Sequence, residues 1–217
     1  MDAKELIARR VAREIRPGSL VNLGIGLPSM VANFVSSDFG VYFQAENGVI
    51  GLGARPPEGM EERHLTDAGG GFVSAVPGAA SIDSAMSFGL IRGGHLDMTV
   101  LGGLQVDESG HLANWKVPGR MVPGMGGAMD LVCGAARVVV AMQHSAKGQS
   151  KIVPRCTLPL TALRRVDLIV TDLAVIEPTG MGLILRERAP GVSVGDIRAA
   201  TEAALIVPDD VPEMILA

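Results

Sequence analysis

Apolar residues near the start of the chain recur with the spacing of a surface helix. Ile7, Val11 and Ile15 are four residues apart and lie among charged side chains, so they predict one amphipathic helix. Pro17 and Gly18 follow directly and predict its end. Beyond this helix the pattern changes to short apolar runs, which are typical of buried strands.

Apolar runs and amphipathic stretches alternate along the rest of the chain. Strands are predicted near 20–23, 41–44, 72–76, 98–101, 137–142 and 168–171. Helices are predicted near 29–35, 82–91 and 196–205. Runs such as VVVAM and DLIVT are continuously apolar rather than alternating, which favours strands that are covered on both faces. The pattern therefore predicts an α/β fold with a mostly parallel sheet.

The composition favours one domain that spans residues 1–217 and has a full core. Hydrophobic residues make up 47% of the chain and charged residues 19%, so apolar side chains remain to cover an interface with another chain. A net charge of −4 gives no electrostatic reason to expect nucleic acid or an anionic membrane as a partner. No apolar run approaches the roughly 20 residues of a membrane span, and the N-terminus lacks the apolar core of a signal peptide. These features predict a soluble, cytoplasmic protein.

Neither the cysteines nor the histidines form a pattern that predicts metal or redox chemistry. Cys133 and Cys156 are far apart and form no CxxC motif, so each is interpreted as a small buried side chain in a reducing compartment. The four histidines are also far apart and lack ligand spacing, so no metal site is expected. They are His64, His95, His111 and His144.

The strongest chemical signal is the segment VYFQAENGVIGLG, which spans residues 41–53 and contains Glu46. Its apolar start predicts a strand, and the pair Asn47 and Gly48 predicts a sharp turn. Glu46 would then lie at the C-terminal end of a strand, where ligands bind in open α/β sheets. A carboxylate in that position is a candidate nucleophile. The segment fits equally a hairpin whose glutamate merely faces water.

Two further glycine-rich segments would let a ligand approach the backbone. VNLGIGLP, residues 21–28, combines a strand, a glycine turn and a helix start, but it lacks the spacing of GxGxxG and the GK[ST] of a P-loop. VPGMGGAMD, residues 122–130, contains Gly126 and Gly127, which carry no side chain to block a substrate. The same pair could instead cap the sheet or start a helix at Ala128.

Five segments, in order, resemble the β subunit of the family I CoA-transferases over residues 2–202. They are VNLGIGLPSMVANF, ENGVIGLG, IRGGHLDMTVLGGLQVDESGHLANW, VPGMGGAMDLV and KIVPRCTLPLT. Within the family, MDAKELIARRVA and GGLQVDE are most similar to bacterial enzymes that pass CoA between acetoacetyl-CoA and acetate or butyrate. Ala45 departs from the family pattern, which usually has serine there. The resemblance implies the three-layer α/β/α fold that these enzymes share with certain sugar-phosphate isomerases.

The resemblance also implies roles for individual residues. Glu46 would attack the acyl-CoA carbonyl and pass through a glutamyl anhydride to a glutamyl-CoA thioester, with no metal or organic cofactor. The N–H of Gly127 would stabilise the oxyanion, and Asn22 would be a polar contact near the CoA thiol arm. The other positions expected to bind substrate or CoA are Gly24, Gly26, Asn47, Gly48, Gly51, Gly53 and Gly126.

A β chain of this family implies a separate α subunit, expected in an α2β2 heterotetramer. Gly70 follows TDAG at a position where relatives of the succinyl-CoA type commonly have lysine, which agrees with an uncharged acyl tail. The alternative is the corresponding chain of a succinyl-CoA:3-oxoacid or 3-oxoadipate CoA-transferase. Two other interpretations stay open: an isomerase or deaminase acting on sugar phosphates, and a non-catalytic effector-sensing module of the same fold class.

Overall fold

The structure is a computed structural model that describes residues 1–119 and 125–217. Its α-helices are α1 (Ala3–Ala12), α2 (Ser84–Arg92), α3 (Ala128–Gly134) and α4 (Val194–Ala200), and two 3₁₀ helices cover Pro28–Phe34 and Ser37–Phe39. The strands are β1 (Leu20–Leu23), β2 (Tyr42–Ala45), β3 (Val49–Leu52), β4 (Ala75–Ser81), β5 (Met98–Leu101), β6 (Gln105–Asp107), β7 (Leu112–Ala113), β8 (Arg137–Ala141), β9 (Ser145–Ala146), β10 (Gln149–Ser150), β11 (Ile152–Val153), β12 (Leu168–Val170), β13 (Ala174–Thr179), β14 (Gly182–Arg188) and β15 (Leu205–Ile206). In the described part of the chain, no helix combines the length and apolar character needed to cross a membrane.

Ten strands form one mixed sheet in the order β15-β14-β13-β12-β8-β5-β1-β2-β3-β4. The central strands β12, β8, β5, β1 and β2 run parallel to one another. Antiparallel pairs extend the sheet on both sides, through β3 and β4 on one side and β13 and β14 on the other. The predicted α/β fold with a mostly parallel central sheet is confirmed.

Helices cover both faces of this sheet and produce three layers. On one face, α1 and the first 3₁₀ helix share an apolar core with Val21 and Val139. On the opposite face, α2, α3 and α4 share a second core with Val138 and Val140. Neighbouring residues of one strand therefore enter two different cores, which is why the central strands have continuously apolar sequences.

The parallel register brings the C-terminal ends of the central strands to one edge of the sheet. Val21 of β1 pairs with Phe43 of β2 and with Met98 of β5. Glu46 is the first residue after β2, so the predicted nucleophile lies at this carboxyl edge.

The strand predicted at 72–76 is displaced along the chain. The observed strand, β4, begins three positions later, and Phe72 forms only an isolated bridge. The cause is a tight loop around Asp67, whose carboxylate accepts two backbone N–H groups at 2.8 Å. Such a side-chain bond offers the backbone an alternative to strand pairing.

Three predicted helices also differ from the observed ones. The helix predicted at 29–35 is a 3₁₀ helix, and α1 ends before it reaches Pro17. The helix predicted at 196–205 is shorter and lies earlier, because a capping box at Ser193 starts α4 and the chain then returns to the sheet as β15.

Candidate active site

Glu46 lies in the turn that joins β2 to β3. The Gly48 N–H donates to the Ala45 carbonyl at 2.9 Å and closes this turn. Gly48 has a φ of +117°, and a Cβ there would overlap the Ile82 carbonyl oxygen, so the turn requires glycine. The hairpin interpretation is therefore correct for the backbone. It is wrong for the side chain, because Glu46 is half-buried and contacts another segment of the protein.

That segment is the diglycine turn before α3. Oε1 of Glu46 accepts the N–H of Gly127 at 2.9 Å, although the two residues are 81 positions apart. A Cβ on Gly127 would overlap Oε2 and lie 2.8 Å from Cδ of Glu46, and a Cβ on Gly126 would lie 3.2 Å from Oε1. The two missing side chains therefore allow the carboxylate to rest directly on the backbone. Gly127 is also the N-cap of α3, so the helix-start interpretation is correct as well.

Helix α2 forms the wall beside this contact. A Cβ on Gly127 would lie 3.2 Å from Cε1 of Phe88, so the aromatic ring borders the diglycine turn. Arg92 lies 5.4 Å from the centre of that ring and donates to Asp130 of α3 at 2.7 Å. These contacts join α2 to α3, so the helix that carries Phe88 is tied to the helix that begins at Gly127.

Asn22 lies in a buried polar layer and not at a surface that a substrate could reach. It is 3% exposed, and its Nδ2 donates to the carbonyl and to Oε1 of Gln44 at 3.1 and 2.9 Å. Its Oδ1 accepts the Thr99 hydroxyl at 3.2 Å, and Gln44 in turn donates to the Ser87 hydroxyl at 2.9 Å. The expected contact of Asn22 with the CoA arm is therefore not supported, because neighbouring strands already use its polar atoms.

Three of the predicted glycines line one cavity of about 640 Å³ at the carboxyl edge. They are Gly24, Gly26 and Gly53, and they lie together with Ala45, the residue before Glu46. The cavity opens between the first 3₁₀ helix and the loop 67–73. The structure thus brings together glycines from two motifs that are distant in sequence.

The walls of this cavity are mostly apolar, with few charges. Leu23, Phe43 and Leu52 contribute apolar surface, and Arg55 is the only basic residue among the described residues that line it. Gly70 lies on the rim with a φ of +80° and no atom within 4 Å of a Cβ built on it.

The remaining predicted positions shape the hairpin rather than line the cavity. Gly51 has a φ of +85°, and a Cβ there would lie only 2.9 Å from the Cβ of Ala79 on β4. The side chain of Asn47 donates to the Thr66 carbonyl at 2.8 Å. Gly48 and Gly51 therefore allow close strand packing, and Asn47 ties the turn of Glu46 to the loop that borders the cavity.

The two cysteines differ in their surroundings. Burial, together with the nearby Asp107 carboxylate, raises the pKa of Cys156 to about 12, so the unreactive thiol form predominates. Cys133 is exposed at the end of α3, and its interpretation as a buried side chain is wrong. Among the described residues, no group of three or more His, Cys, Asp and Glu side chains could hold a metal ion.

A second cavity, of about 730 Å³, lies at the opposite edge of the sheet. It is lined by charged residues that already hold strand ends together. Arg137 forms an ion pair with Glu14, and Asp97 accepts the backbone N–H of Leu20 at 2.8 Å. The carboxyl edge that contains Glu46 therefore remains the candidate site.

Acid should destabilise this protein in a pH window set by His144. The imidazole is 1% exposed, and its two nitrogens lie 2.9 Å from the hydroxyls of Thr171 and Thr201. Burial lowers the pKa of His144 from 6.5 to about 4, although Asp172 opposes this shift. Below pH 6.5 the unfolded chain binds a proton here that the folded protein does not bind until about pH 4. The free energy of unfolding should therefore fall by about 3 kcal/mol across this window.

Urea unfolding between about pH 7 and pH 4.5 would measure this loss. His144→Gln should remove most of the pH dependence in this window, because glutamine does not titrate. His64→Gln is the matched control, since His64 is exposed in a loop, and it should retain the full dependence. An unchanged pH dependence in His144→Gln would assign the acid sensitivity to other groups.

Four residues that shape the site were not predicted from the sequence: Gln44, Ser87, Phe88 and Arg55. For Gln44 a signal was present, because it is a polar residue in an apolar strand and lies two positions before Glu46. No local pattern marks the others, which reach the site only through packing.

A family model and two curated relatives indicate the same family. Residues 4–200 match the family model described as Coenzyme A transferase. The chain is 54% identical to the beta subunit of the acetate CoA-transferase of Haemophilus influenzae, over 99% of this chain and 96% of that protein. It is 48% identical to one of the subunits of the succinyl-CoA:3-ketoacid coenzyme A transferase of Helicobacter pylori, over 92% of this chain and 97% of that protein.

A solved structure has the same fold. The acyl-CoA transferase YdiF of Escherichia coli O157:H7 matches with a TM-score of 0.80 and 23% identity. The match covers 99% of this chain but 43% of that chain, so this chain spans less than half the length of that enzyme.

Proposed function

This chain belongs to the coenzyme A transferase family, and from that premise we propose that it is the catalytic subunit, with Glu46 as the nucleophile. The observation that carries the proposal is the Glu46 carboxylate at the carboxyl edge of the sheet, with Oε1 held by the Gly127 N–H at 2.9 Å. A carboxylate can form both an anhydride with an acyl group and a thioester with CoA. It therefore suits an enzyme that moves CoA from acetoacetyl-CoA to a short carboxylic acid.

In the first step, Oε2 of Glu46 attacks the carbonyl carbon of the acyl-CoA. Among the described residues, the hydrogen bond of this carboxylate joins Oε1 to the Gly127 N–H, which leaves Oε2 available for attack. The C–S bond breaks, CoA leaves as a thiolate with the electron pair, and a glutamyl-acyl anhydride remains.

In the second step, the CoA thiolate adds to Cδ of Glu46, and the electron pair of the glutamyl carbonyl moves onto Oε1. The Gly127 N–H already donates to this oxygen, so a donor is in place for the oxyanion. A single donor of this kind contributes roughly 2.7–4 kcal/mol to catalysis in other enzymes. Collapse of the intermediate releases the first acid, which takes Oε2, and leaves the glutamyl-CoA thioester. The acceptor acid then opens the thioester by the reverse sequence.

The proposed mechanism uses no metal or organic cofactor, because Glu46 itself carries the acyl group and then CoA. A carboxylate is nevertheless a weak nucleophile. Binding energy from the CoA body, far from the reacting atoms, must therefore contribute to the transition state.

We expect the purified chain to have less than about 1% of the transferase activity of the assembled enzyme. We infer that a separate α subunit completes the site, since these relatives are named as single subunits of their enzymes. Ile25 supports this inference, because it lines the 640 Å³ cavity and yet is 72% exposed, as at a surface that a partner covers. The activity of the chain with and without its co-purified partner tests this, together with the mass of the complex, for which we propose α2β2. Full activity of the chain alone would contradict the prediction.

We place this activity in the cytoplasm. Cys133 and Cys156 are both free, as is usual in a reducing compartment.

Short monocarboxylates such as acetate and butyrate should accept CoA from acetoacetyl-CoA better than succinate does. Gly70 puts no side chain at the rim of the cavity, and the nearby walls are apolar. A second carboxylate buried there without a cation would be unfavourable, and each 1.4 kcal/mol of that penalty in the transition state is about tenfold in kcat/KM. We therefore expect a preference of at least about tenfold, measured by kcat/KM at fixed acetoacetyl-CoA.

Arg55 supports a second candidate, a succinyl-CoA:3-oxoacid CoA-transferase, because it brings a cation to the wall of the same cavity. If succinate is preferred over acetate, the substrate prediction is wrong. Arg55→Met then distinguishes the source of that preference. A selective loss of succinate activity would assign the cation to Arg55, and no loss would assign it to another cationic residue of the assembled enzyme.

A further inference from the structure

Residues on either side of Glu46 along the chain form two hydrogen bonds to the segment that contains α2. Two residues before Glu46, the side chain of Gln44 donates to the Ser87 hydroxyl of α2 at 2.9 Å. Two residues after it, the Gly48 carbonyl accepts the Ile82 N–H at 2.8 Å, just before α2 begins. The strand end that carries Glu46 is therefore attached to the residue that precedes the N-cap of α2 and to the middle of the helix.

The other side of the Glu46 contact depends on the same helix. Phe88 follows Ser87 and borders Gly127, whose Cβ would lie 3.2 Å from the ring. Arg92, one turn further on, donates to Asp130 of α3 at 2.7 Å. Helix α2 thus positions both partners of the Glu46–Gly127 hydrogen bond, the carboxylate through Ser87 and the backbone N–H through Phe88 and Arg92.

The contact between Gln44 and Ser87 is fully enclosed. Both residues are 0% exposed, so water cannot replace their hydrogen bond. The orientation of the Gln44 amide is fixed, because its Oε1 also accepts a hydrogen bond from Nδ2 of Asn22 at 2.9 Å. Loss of the Ser87 hydroxyl would leave the Gln44 donor without this partner and would loosen α2 relative to the strand end.

We propose that Gln44 and Ser87 are positioning residues that hold the Glu46 carboxylate against the Gly127 N–H. The inference rests on the proposed role of Glu46 and goes beyond it. The close fit between Glu46 and the diglycine turn supports this role. A Cβ at residue 127 would overlap the carboxylate, so Glu46 and the diglycine backbone lie in van der Waals contact. A small movement of α2 would change the geometry of the oxyanion donor without removing any group that touches substrate.

Ser87→Ala in the assembled enzyme tests this proposal, with Thr99→Val as the matched control. Each variant deletes one buried hydroxyl from the same polar layer, but Thr99 lies at the far end, on β5, where its hydroxyl donates to Asn22 at 3.2 Å. Ser87→Ala should lower kcat about tenfold while KM for acyl-CoA changes less than about twofold, because the binding surface is intact. Thr99→Val should lower the Tm by about as much as Ser87→Ala does, but its kcat should stay within about twofold of the wild-type value. Ser87→Thr retains the hydroxyl and should restore most of kcat.

Gln44→Met removes the same hydrogen bond by deleting its donor. The proposal can therefore be tested even if only one of the two variants folds. The rate at which the glutamyl-CoA thioester forms in one turnover should fall in parallel with kcat in both variants. Equal kcat values in Ser87→Ala, Gln44→Met and Thr99→Val would overturn the positioning role and leave these residues with a purely structural one. A wild-type complex without any transferase activity would instead refute the proposed function, so the two failures are distinguishable.

Discussion

Glu46→Gln should lower kcat by at least about 10⁴-fold in the assembled enzyme, with little change in stability. Glutamine has nearly the same shape as glutamate and can still accept the Gly127 N–H through its carbonyl oxygen, so the turn between β2 and β3 should persist. Its amide nitrogen, however, cannot attack an acyl-CoA as the carboxylate oxygen does. Removal of a catalytic nucleophile typically causes losses of this order or larger.

Covalent trapping tests the same assignment directly. The wild-type complex is incubated with acetoacetyl-CoA, reduced with borohydride and mapped by mass spectrometry, which should locate the modified residue at Glu46. Glu58→Gln is the matched control, because Glu58 lies exposed in the loop after β3 and should keep wild-type turnover. Turnover that survives in Glu46→Gln, or a reduced residue elsewhere, would refute the mechanism.

Gly127→Ala should lower kcat by about 10²–10³-fold while the protein remains folded. A methyl group at residue 127 would overlap Oε2 and approach Cδ of Glu46 to 2.8 Å, so the carboxylate must leave its hydrogen bond with the N–H. The alanine backbone itself is not strained, because Gly127 has a φ of −82°. The expected loss therefore comes from displacement of the nucleophile rather than from unfolding.

Gly127→Pro adds the loss of the N–H donor to the same steric overlap, so its comparison with Gly127→Ala isolates the contribution of the donor. Its φ is compatible with the observed backbone, so it should fold and lose at least as much activity as Gly127→Ala. Gly180→Ala is the control, since a Cβ there would meet no atom within 4 Å. If both variants of residue 127 keep wild-type kcat, the oxyanion donor lies elsewhere.

The place of Glu46 at a strand end was predictable because it depends on local features. Strand-forming residues followed by Asn47 and Gly48 predict a strand and a sharp turn in almost any context, and Glu46 occupies the junction. The continuously apolar runs of β8 and β12 predict burial on both faces for the same local reason. The carboxyl edge then follows from the parallel order of the sheet.

Other features of the site depend on segments that are distant in sequence. The family resemblance implies that Asn22 meets the CoA arm, whereas Gln44 and Thr99 on the neighbouring strands surround it. The surroundings of Asn22 depend on which strands lie next to β1 in the sheet. In the same way, the parallel pairing of β1 with β5 joins two strands that no short window of the sequence contains.

The sequence by itself therefore determined the α/β class, the position of Glu46 at a strand end and the glycines around it, because periodicity and turn chemistry act over a few residues. The tertiary structure decided that the Gly127 N–H, 81 residues away, donates to the carboxylate of Glu46. It also decided that α2 joins both sides of that contact through Ser87 and Phe88. Such contacts arise only when helices and strands pack, since packing selects among many arrangements that the same local patterns allow.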